Sequence, residues 1–204
     1  MTNAAMFGGS FNPVHNGHVE LLERMIFEFN LDKVLVIPTN VTPLKDNSFM
    51  VPAEDRLAMC RLAFSHVPAI EVSDMEITRE GKSYTVDTLK MLKEKYADAK
   101  LHLIVGADAF LQLPLWYKAE EIFSLAKILT IVRDDIDDNC LKRAGESYKE
   151  KFGAECGIIE NPVTDISSTE IRSLIKENSP VSELLPSGVY NFIKENELYG
   201  YKNQ

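Results

Sequence analysis

Basic residues are in short supply in this chain. Lysine and arginine together number 22 against 31 aspartates and glutamates, so the formal net charge is −9 over 204 residues. An extended nucleic-acid backbone is therefore a poor partner, because neutralising its phosphates takes a basic face. A small phosphorylated ligand stays open, since it needs only a local group of cations inside an acidic envelope. Cysteine is scarce as well. Cys60, Cys140 and Cys156 stand far apart and form no Cys-x-x-Cys pair, which speaks against a disulfide framework and a zinc ribbon. Cys60 and Cys156 read as inert, buried thiols. No apolar run reaches the ~18 residues of a membrane helix. No basic segment followed by an apolar one marks a signal peptide. Internal repeats and low-complexity tracts are missing too. A hydrophobic fraction of 45% argues against disorder. The expectation is a soluble, cytoplasmic protein, a single domain over 1–204 with a small helical C-terminal part from about 166.

What the chain does have is a dense stretch near its start, Gly8-Gly9-Ser10-Phe11-Asn12-Pro13-Val14-His15-Asn16-Gly17-His18. Apolar Ala4 to Phe7 precedes it, and Val19, Leu22, Ile26 and Phe29 follow at the spacing of one helical face. The stretch reads as the turn from a first strand into a first helix. Adjacent glycines let a backbone come close to a bulky anion. A helix start adds unpaired N–H groups and the positive end of the dipole. His15 and His18 fall on one side once the helical turn has begun. Asn16 and Asn12 are rival N-caps, the latter ahead of Pro13. A zinc pair on the two histidines lacks a third ligand nearby.

Lys33 to Pro38 is a β-branched run closed by proline, hence a buried strand. Strand, helix and strand make a βαβ unit, with parallel strands and a right-handed crossover. Ligands of such sheets bind beyond the carboxyl ends of the strands, where the glycine stretch falls. Further strands are expected at Ile70 to Ile77, Leu101 to Val105, Lys127 to Val132 and Gly157 to Glu160. Helices are expected from Pro52, from Ser83-Tyr84-Thr85, over Ala109 to Leu113, over Tyr117 to Phe123, over Leu141 to Phe152, after Ser167, and over Pro186 to Leu198. The alternation predicts the α/β class, a doubly wound, mainly parallel sheet. His66 reads as a surface histidine at a helix end, and His102 as a strand-face histidine.

Three further stretches can carry chemistry. Thr39 to Val51 is a long connection holding one cation, Lys45. Connections of about 12 residues or more without regular structure are usually functional or mobile, though an isolated lysine is more often simply solvated. Asp108 follows Gly106 just past an expected strand, placed equally well to accept from a sugar hydroxyl or to N-cap the next helix. Ser167 with Glu170 forms a capping box, which leaves the amides and hydroxyls of Ser168 and Thr169 free, with Arg172 one turn further on the same face. A dipole end, two hydroxyls and a guanidinium fork suit a polyphosphate. The cluster Asp134, Asp135, Asp137 and Asp138 lacks the glycine of a calcium loop and reads as a solvated turn.

Gly-Gly-Ser-Phe-Asn-Pro-x-His-x-Gly-His at 8–18 resembles the signature of the His-x-Gly-His nucleotidyltransferases, and Ile-Ser-Ser-Thr-x-Ile-Arg at 166–172 resembles their second signature. Ser83-Tyr84-Thr85-Val86-Asp87-Thr88-Leu89, with Gly106, Asp108, Phe110, Leu113, Pro114 and Trp116, is similar to the bacterial nicotinate mononucleotide adenylyltransferases within that superfamily. The resemblance implies a Rossmann-like nucleotidyltransferase fold. It implies adenylyl transfer from ATP to nicotinate mononucleotide in NAD biosynthesis, with Mg2+ on the triphosphate and no dedicated metal cage. It assigns ATP binding to Gly8, Gly9, Ser10, Phe11, His18, Gly106, Ser168, Thr169 and Arg172, and catalysis to His15, His18, Lys45 and Arg172. Lys45, Thr85, Asp108, Trp116 and Tyr117 would serve the substrate: the Thr85 and Tyr117 amides on the pyridine carboxylate, Asp108 on a ribose, and Trp116 stacked on the ring. Arg133 falls near adenine by the same analogy, though its place at a strand end fits a surface arginine equally well, and Leu44 stands where the family often has histidine. The implied partners are ATP and nicotinate mononucleotide, without nucleic acid or membrane; a homo-oligomer is left open. The alternatives are a phosphopantetheine, cytidylyl or nicotinamide mononucleotide acceptor, a class I aminoacyl-tRNA synthetase, for which the chain is short and acidic, and an ATP-binding module without turnover.

Overall fold

The short apolar runs between the helical patterns assemble into one sheet. The computed structural model describes residues 2–40, 50–79, 81–132, 138–160 and 166–201. Its strands are Asn3–Gly9 (β1), Lys33–Pro38 (β2), Ile70–Val72 (β3), Lys100–Ile104 (β4), Lys127–Ile131 (β5) and Cys156–Ile159 (β6). They lie in the order β3-β2-β1-β4-β5-β6, and each neighbouring pair is parallel. The helices are Asn16–Phe29 (α1), Ala53–Phe64 (α2), Thr85–Lys95 (α3), Ala107–Gln112 (α4), Ala119–Leu125 (α5), Asp138–Phe152 (α6), Ser168–Lys176 (α7) and Ser187–Glu195 (α8), with 3-10 turns at Leu113–Leu115 and Leu198–Gly200.

Side chains alternate along a strand. β1 therefore sends Ala5 and Phe7 to one face and Ala4 and Met6 to the other, and β2 divides Val34 and Val36 from Leu35 and Ile37. Helices α1, α2, α7 and α8 cover the first face through Leu22, Met25, Met59, Phe64, Ile171 and Ile193. Helices α3 to α6 cover the second through Leu89, Phe110, Ile122, Leu141 and Tyr148. Burial on both faces is why β2 reads as an unbroken apolar run from Val34 to Pro38. The chain steps outward from β1 through β2 to β3, then returns to β4 on the opposite side of β1 and continues to β6. The winding reverses between β1 and β4, which opens a crevice at their carboxyl ends. Gly8 and Gly9 end β1, and Gly106 follows β4, so both glycine sites flank that crevice.

Several boundaries differ from the sequence expectation, each for a local reason. The strand expected over 70–77 stops at Val72. The Ser73 amide still reaches the Val36 carbonyl at 2.9 Å, but the Asp74 carbonyl then accepts from the Ile77 and Thr78 amides at 2.9 and 3.0 Å, and the chain turns. α4 begins at Ala107 with Gly106 as N-cap, so Asp108 is its exposed second residue and not a cap. α5 begins at Ala119 and not at Tyr117, because Trp116 is extended and Lys118 takes a left-handed φ of 55°. α6 extends back to Asp138. α8 stops at Glu195, with Leu198 in the following 3-10 turn. Lys45, Arg133, Asp134, Asp135 and Asp137 lie outside the described residues.

The two histidine expectations and that for Cys60 hold, but Cys156 is only partly buried, because it opens the edge strand β6. His66 is exposed, with Nε2 3.6 Å from Glu23. His102 is buried on its strand beside the Lys100 carbonyl, and burial draws its pKa down. Burial pushes the Cys60 thiol far up and the Cys156 thiol up to about 11, so neither is a ready nucleophile.

The turn after β3 buries a carboxylate. Glu76 is 2% exposed and accepts from the Thr88 hydroxyl of α3 at 2.7 Å. Burial raises its pKa above the usual 4.5, and the Thr88 bond and Arg79 offset this only in part. With the folded pKa above the unfolded one, the folded state loses stability as pH rises from 4.5 through the raised value. Glu76→Gln keeps an acceptor for Thr88 and removes the charge. It is expected to raise Tm at pH 7, with the gain shrinking as pH falls toward 4.5. Thermal melts across that range check it; equal Tm values at pH 7 would show that ionisation of Glu76 costs the fold nothing.

Candidate active site

The glycine stretch is tightly fitted against the core. A Cβ on Gly9 would come within 3.1 Å of the Phe11 ring, and one on Gly8 within 3.2 Å of Met6 Cε. Phe11 itself sits at a φ of 46°, a left-handed conformation that costs a side-chain-bearing residue about 1–2 kcal/mol. Its ring, 2% exposed, packs edge-on against Phe7 at 5.4 Å and His18 at 5.3 Å, which holds the turn in place. The ring is thus committed to the core, and Phe11 has only its backbone to offer a ligand.

Neither asparagine caps α1. His15 is the N-cap, with φ −145° and ψ 172°. Its amide donates to His18 Nδ1 at 3.2 Å, and the His18 amide donates to the His15 carbonyl at 2.9 Å. The two rings lie 3.7 Å apart between centroids. Because Nδ1 of His18 accepts, the neutral ring carries its proton on Nε2, on the far side from its own backbone. The asparagines are used in tertiary contacts instead. Asn16 donates from Nδ2 to the Glu183 carbonyl at 2.8 Å and from its amide to the Leu184 carbonyl at 3.0 Å. Asn12 Oδ1 accepts from the Tyr199 hydroxyl at 2.9 Å and the Val51 amide at 3.3 Å.

The second signature docks directly on the first. Ser167 caps α7 by accepting from the Glu170 amide at 3.1 Å, as its spacing predicts. The Ser168 hydroxyl is not free: it donates to the Pro13 carbonyl at 2.8 Å. Arg172 Nη1 donates to the Asn12 carbonyl at 2.8 Å, and its Nη2 to Thr169 Oγ1 at 3.2 Å. Packing the start of α7 against the turn covers these carbonyls, and a covered carbonyl needs a donor. The amides of Ser168 and Thr169, first and second in α7, belong to the set that a helix cannot satisfy internally. Arg172 and Thr169 also border a cleft of about 520 Å³, together with Val51, Ser173, Lys176 and Tyr199. Neither imidazole borders that cleft, so the link between the histidines and Arg172 runs through the Asn12-Pro13 backbone.

Across the crevice, a Cβ on Gly106 would meet nothing within 4 Å. Its φ of −67° suits any residue, so the glycine keeps space clear and meets no backbone need. Thr85 is the first residue of α3, and its amide has no acceptor within the helix. The Tyr84 and Tyr117 rings stand 4.6 Å apart, and Glu121 of α5 pairs with both Lys90 of α3 and Lys118. These contacts bring the start of α3 beside the Trp116-Tyr117 turn. Trp116 is half-buried against the second core face, and Tyr117 is 53% exposed.

One residue of this region has no counterpart in the sequence reading. Arg56 of α2 is 1% exposed and donates from Nη1 to the Ser10 and Thr39 carbonyls at 2.8 and 2.7 Å, and from Nε to the Val51 carbonyl at 3.2 Å. A signal existed: Arg56 shares the helical stripe of Cys60 and Ala63, where a charge needs a buried partner.

The chain matches the family described as cytidylyltransferase-like over residues 6–174. A protein of Roseiflexus sp. (strain RS-1), named "Probable nicotinate-nucleotide adenylyltransferase", is 38% identical over 95% of this chain and 96% of its own length. A protein of the same name from Carboxydothermus hydrogenoformans is 36% identical over 95% and 96%. The solved structure of Plasmodium falciparum nicotinic acid mononucleotide adenylyltransferase complexed with NaAD covers 99% of each chain with a TM-score of 0.82. At 20% identity that likeness speaks for the fold. Identity above a third over nearly the whole of both chains makes this protein a member of the nicotinate-nucleotide adenylyltransferase family, within the cytidylyltransferase-like fold.

Proposed function

We propose that the chain transfers the adenylyl group of ATP to nicotinate mononucleotide, giving deamido-NAD and pyrophosphate in NAD biosynthesis. The observation that carries this reading is the joining of two helix starts. The bonds from Ser168 to Pro13 and from Arg172 to Asn12, each 2.8 Å, hold the amino ends of α7 and α1 together at the carboxyl edge of the sheet. In this reading one polyphosphate reaches from the two imidazoles at the start of α1 to the dipole end and guanidinium at the start of α7.

In the reaction, an oxygen of the mononucleotide's phosphate attacks the α-phosphorus of ATP. The bond from that phosphorus to the bridging oxygen breaks, and pyrophosphate leaves with the electron pair. The attacking phosphate is already ionised near neutral pH, so no proton has to be taken from it. The protein's share is alignment and charge stabilisation. In this reading His15 and the Nε2–H of His18 stabilise charge on the α-phosphate and the bridging oxygen. The Ser168 and Thr169 amides and Arg172 hold the leaving phosphates, with Lys45 reaching them from the 39–51 connection. The backbone of Gly8, Gly9, Ser10 and Phe11, with Gly106, lets the nucleotide lie close. Asp108 accepts from a ribose hydroxyl, Trp116 stacks on the pyridine, and the Thr85 and Tyr117 amides hold its carboxylate. The donors gathered here suit anions. Among the described residues, no three His, Cys, Asp or Glu side chains form a cluster fit for a metal ion. In this reading Mg2+ enters as part of the Mg-ATP substrate, where it would neutralise phosphate charge. Among the described residues no helix is long and apolar enough to cross a membrane. A cytoplasmic place of action, with ATP at hand, goes with the proposal.

His18→Ala is expected to lower kcat by about 10²–10³, by comparison with loss of one donor in an oxyanion hole. Turnover near that of the unaltered enzyme would take His18 out of the mechanism. Pyrophosphate release should be roughly tenfold or more faster in kcat/KM with nicotinate than with nicotinamide mononucleotide, since hydrogen bonds to a charged group contribute about 1.5–3 kcal/mol each. Equal rates would remove the two amides from carboxylate binding, and release with neither substrate would leave an ATP-binding module.

A further inference from the structure

We infer that Arg56 is a positioning residue that holds the nucleotide side of the site from beneath; the inference rests on the adenylyl-transfer reading. Its three acceptors come from three segments: Ser10 in the glycine stretch, Thr39 after β2, and Val51 ahead of α2. Thr39 and Val51 are the two ends of the connection that leaves β2 and returns at α2. The guanidinium thus ties both ends of that connection to the glycine stretch. Two further bonds run the same way, from the Thr39 amide to the Gly9 carbonyl at 2.9 Å and from the Val51 amide to Asn12 Oδ1 at 3.3 Å.

Burying a guanidinium carries a desolvation penalty of several kcal/mol, and an apolar side chain of similar volume would carry none. Filling the core therefore does not explain the charge. Geometry does. A planar fork reaches carbonyls in fixed directions, which the point charge of a lysine cannot reproduce. The bond to the Ser10 carbonyl also sets the plane of the Ser10–Phe11 peptide. In a trans peptide the C=O and N–H point to opposite sides. With its oxygen drawn down to Arg56, this peptide turns the Phe11 N–H away from α2. That N–H is the donor left to Phe11 once its ring is in the core.

The test compares Arg56→Lys and Arg56→Gln with Met59→Ala, which is also fully buried on α2 and faces the first core. Steady-state kinetics with each substrate, equilibrium binding of Mg-ATP and thermal melts are read for all three. Loss of the fork is expected to lower kcat/KM for ATP roughly ten- to a hundredfold, the scale of a small misplacement of reacting groups. KM for nicotinate mononucleotide should change less than that for ATP, because its pyridine ring and carboxylate are held across the crevice, by Trp116 and the Thr85 and Tyr117 amides. Met59→Ala should lower Tm and leave the ATP parameters in place. An equal loss for both substrates, an equal loss of ATP affinity in Met59→Ala, or failure of both Arg56 variants to fold would assign the residue to the scaffold and overturn the inference. Absence of pyrophosphate release by the unaltered protein would instead overturn the reaction, while Mg-ATP binding would still report on Arg56.

Discussion

The carbonyls of Asn12 and Pro13 are where the molecule is held together as a site. They lie in the turn between β1 and α1, and the packed start of α7 covers them. Arg172 and Ser168 supply the donors they need, each at 2.8 Å. These contacts span 160 and 155 residues of chain. Without them two helix amino ends would present their dipoles separately. With them the two ends share one edge of the sheet, where the reversal of winding between β1 and β4 already opens a crevice.

The turn is held on its other sides as well. Phe11, in a strained left-handed conformation, is pinned by Phe7 and His18. Asn12 Oδ1 takes one bond from Val51 and one from Tyr199 near the C-terminal end of the described chain. Tyr199 is itself at a φ of 59°, and burial pushes its hydroxyl pKa well up, so it acts as a neutral donor. Arg56 closes the arrangement from below. Backbone strain of this kind persists only where surrounding contacts over-determine it. The contacts here come from β1, α1, α2, α7 and the last 3-10 turn, so the site is a product of the whole fold and not of the motif alone.

Much of the fold was legible because the periods were clear. β2 is buried on both faces and reads as a continuous apolar run, and in β4 only His102 interrupts one. The stretch after Val72 misled because Glu76, polar in an alternating pattern, has a buried partner in Thr88, and hydropathy alone cannot foresee that. The same limit explains Arg56, whose acceptors are backbone carbonyls at Ser10, Thr39 and Val51 and leave no mark in side-chain types. Asn12 and Asn16 looked like caps because asparagine often is one. His15 took that place, and both asparagines went to partners on distant segments. The Ser168 hydroxyl, free on local grounds, was claimed by Pro13.

The residue order by itself determined the α/β class, the strand–turn–helix setting of Gly8 to His18 and the capping of α7 by Ser167. These depend on local spacing, on helix and strand periods, and on backbone freedom at glycine, all of which act over a few positions. The folded chain alone decided which carbonyls would be buried, and so which side chains became struts. Burial is set by how distant segments pack, and a polar group removed from water takes the partner that packing provides.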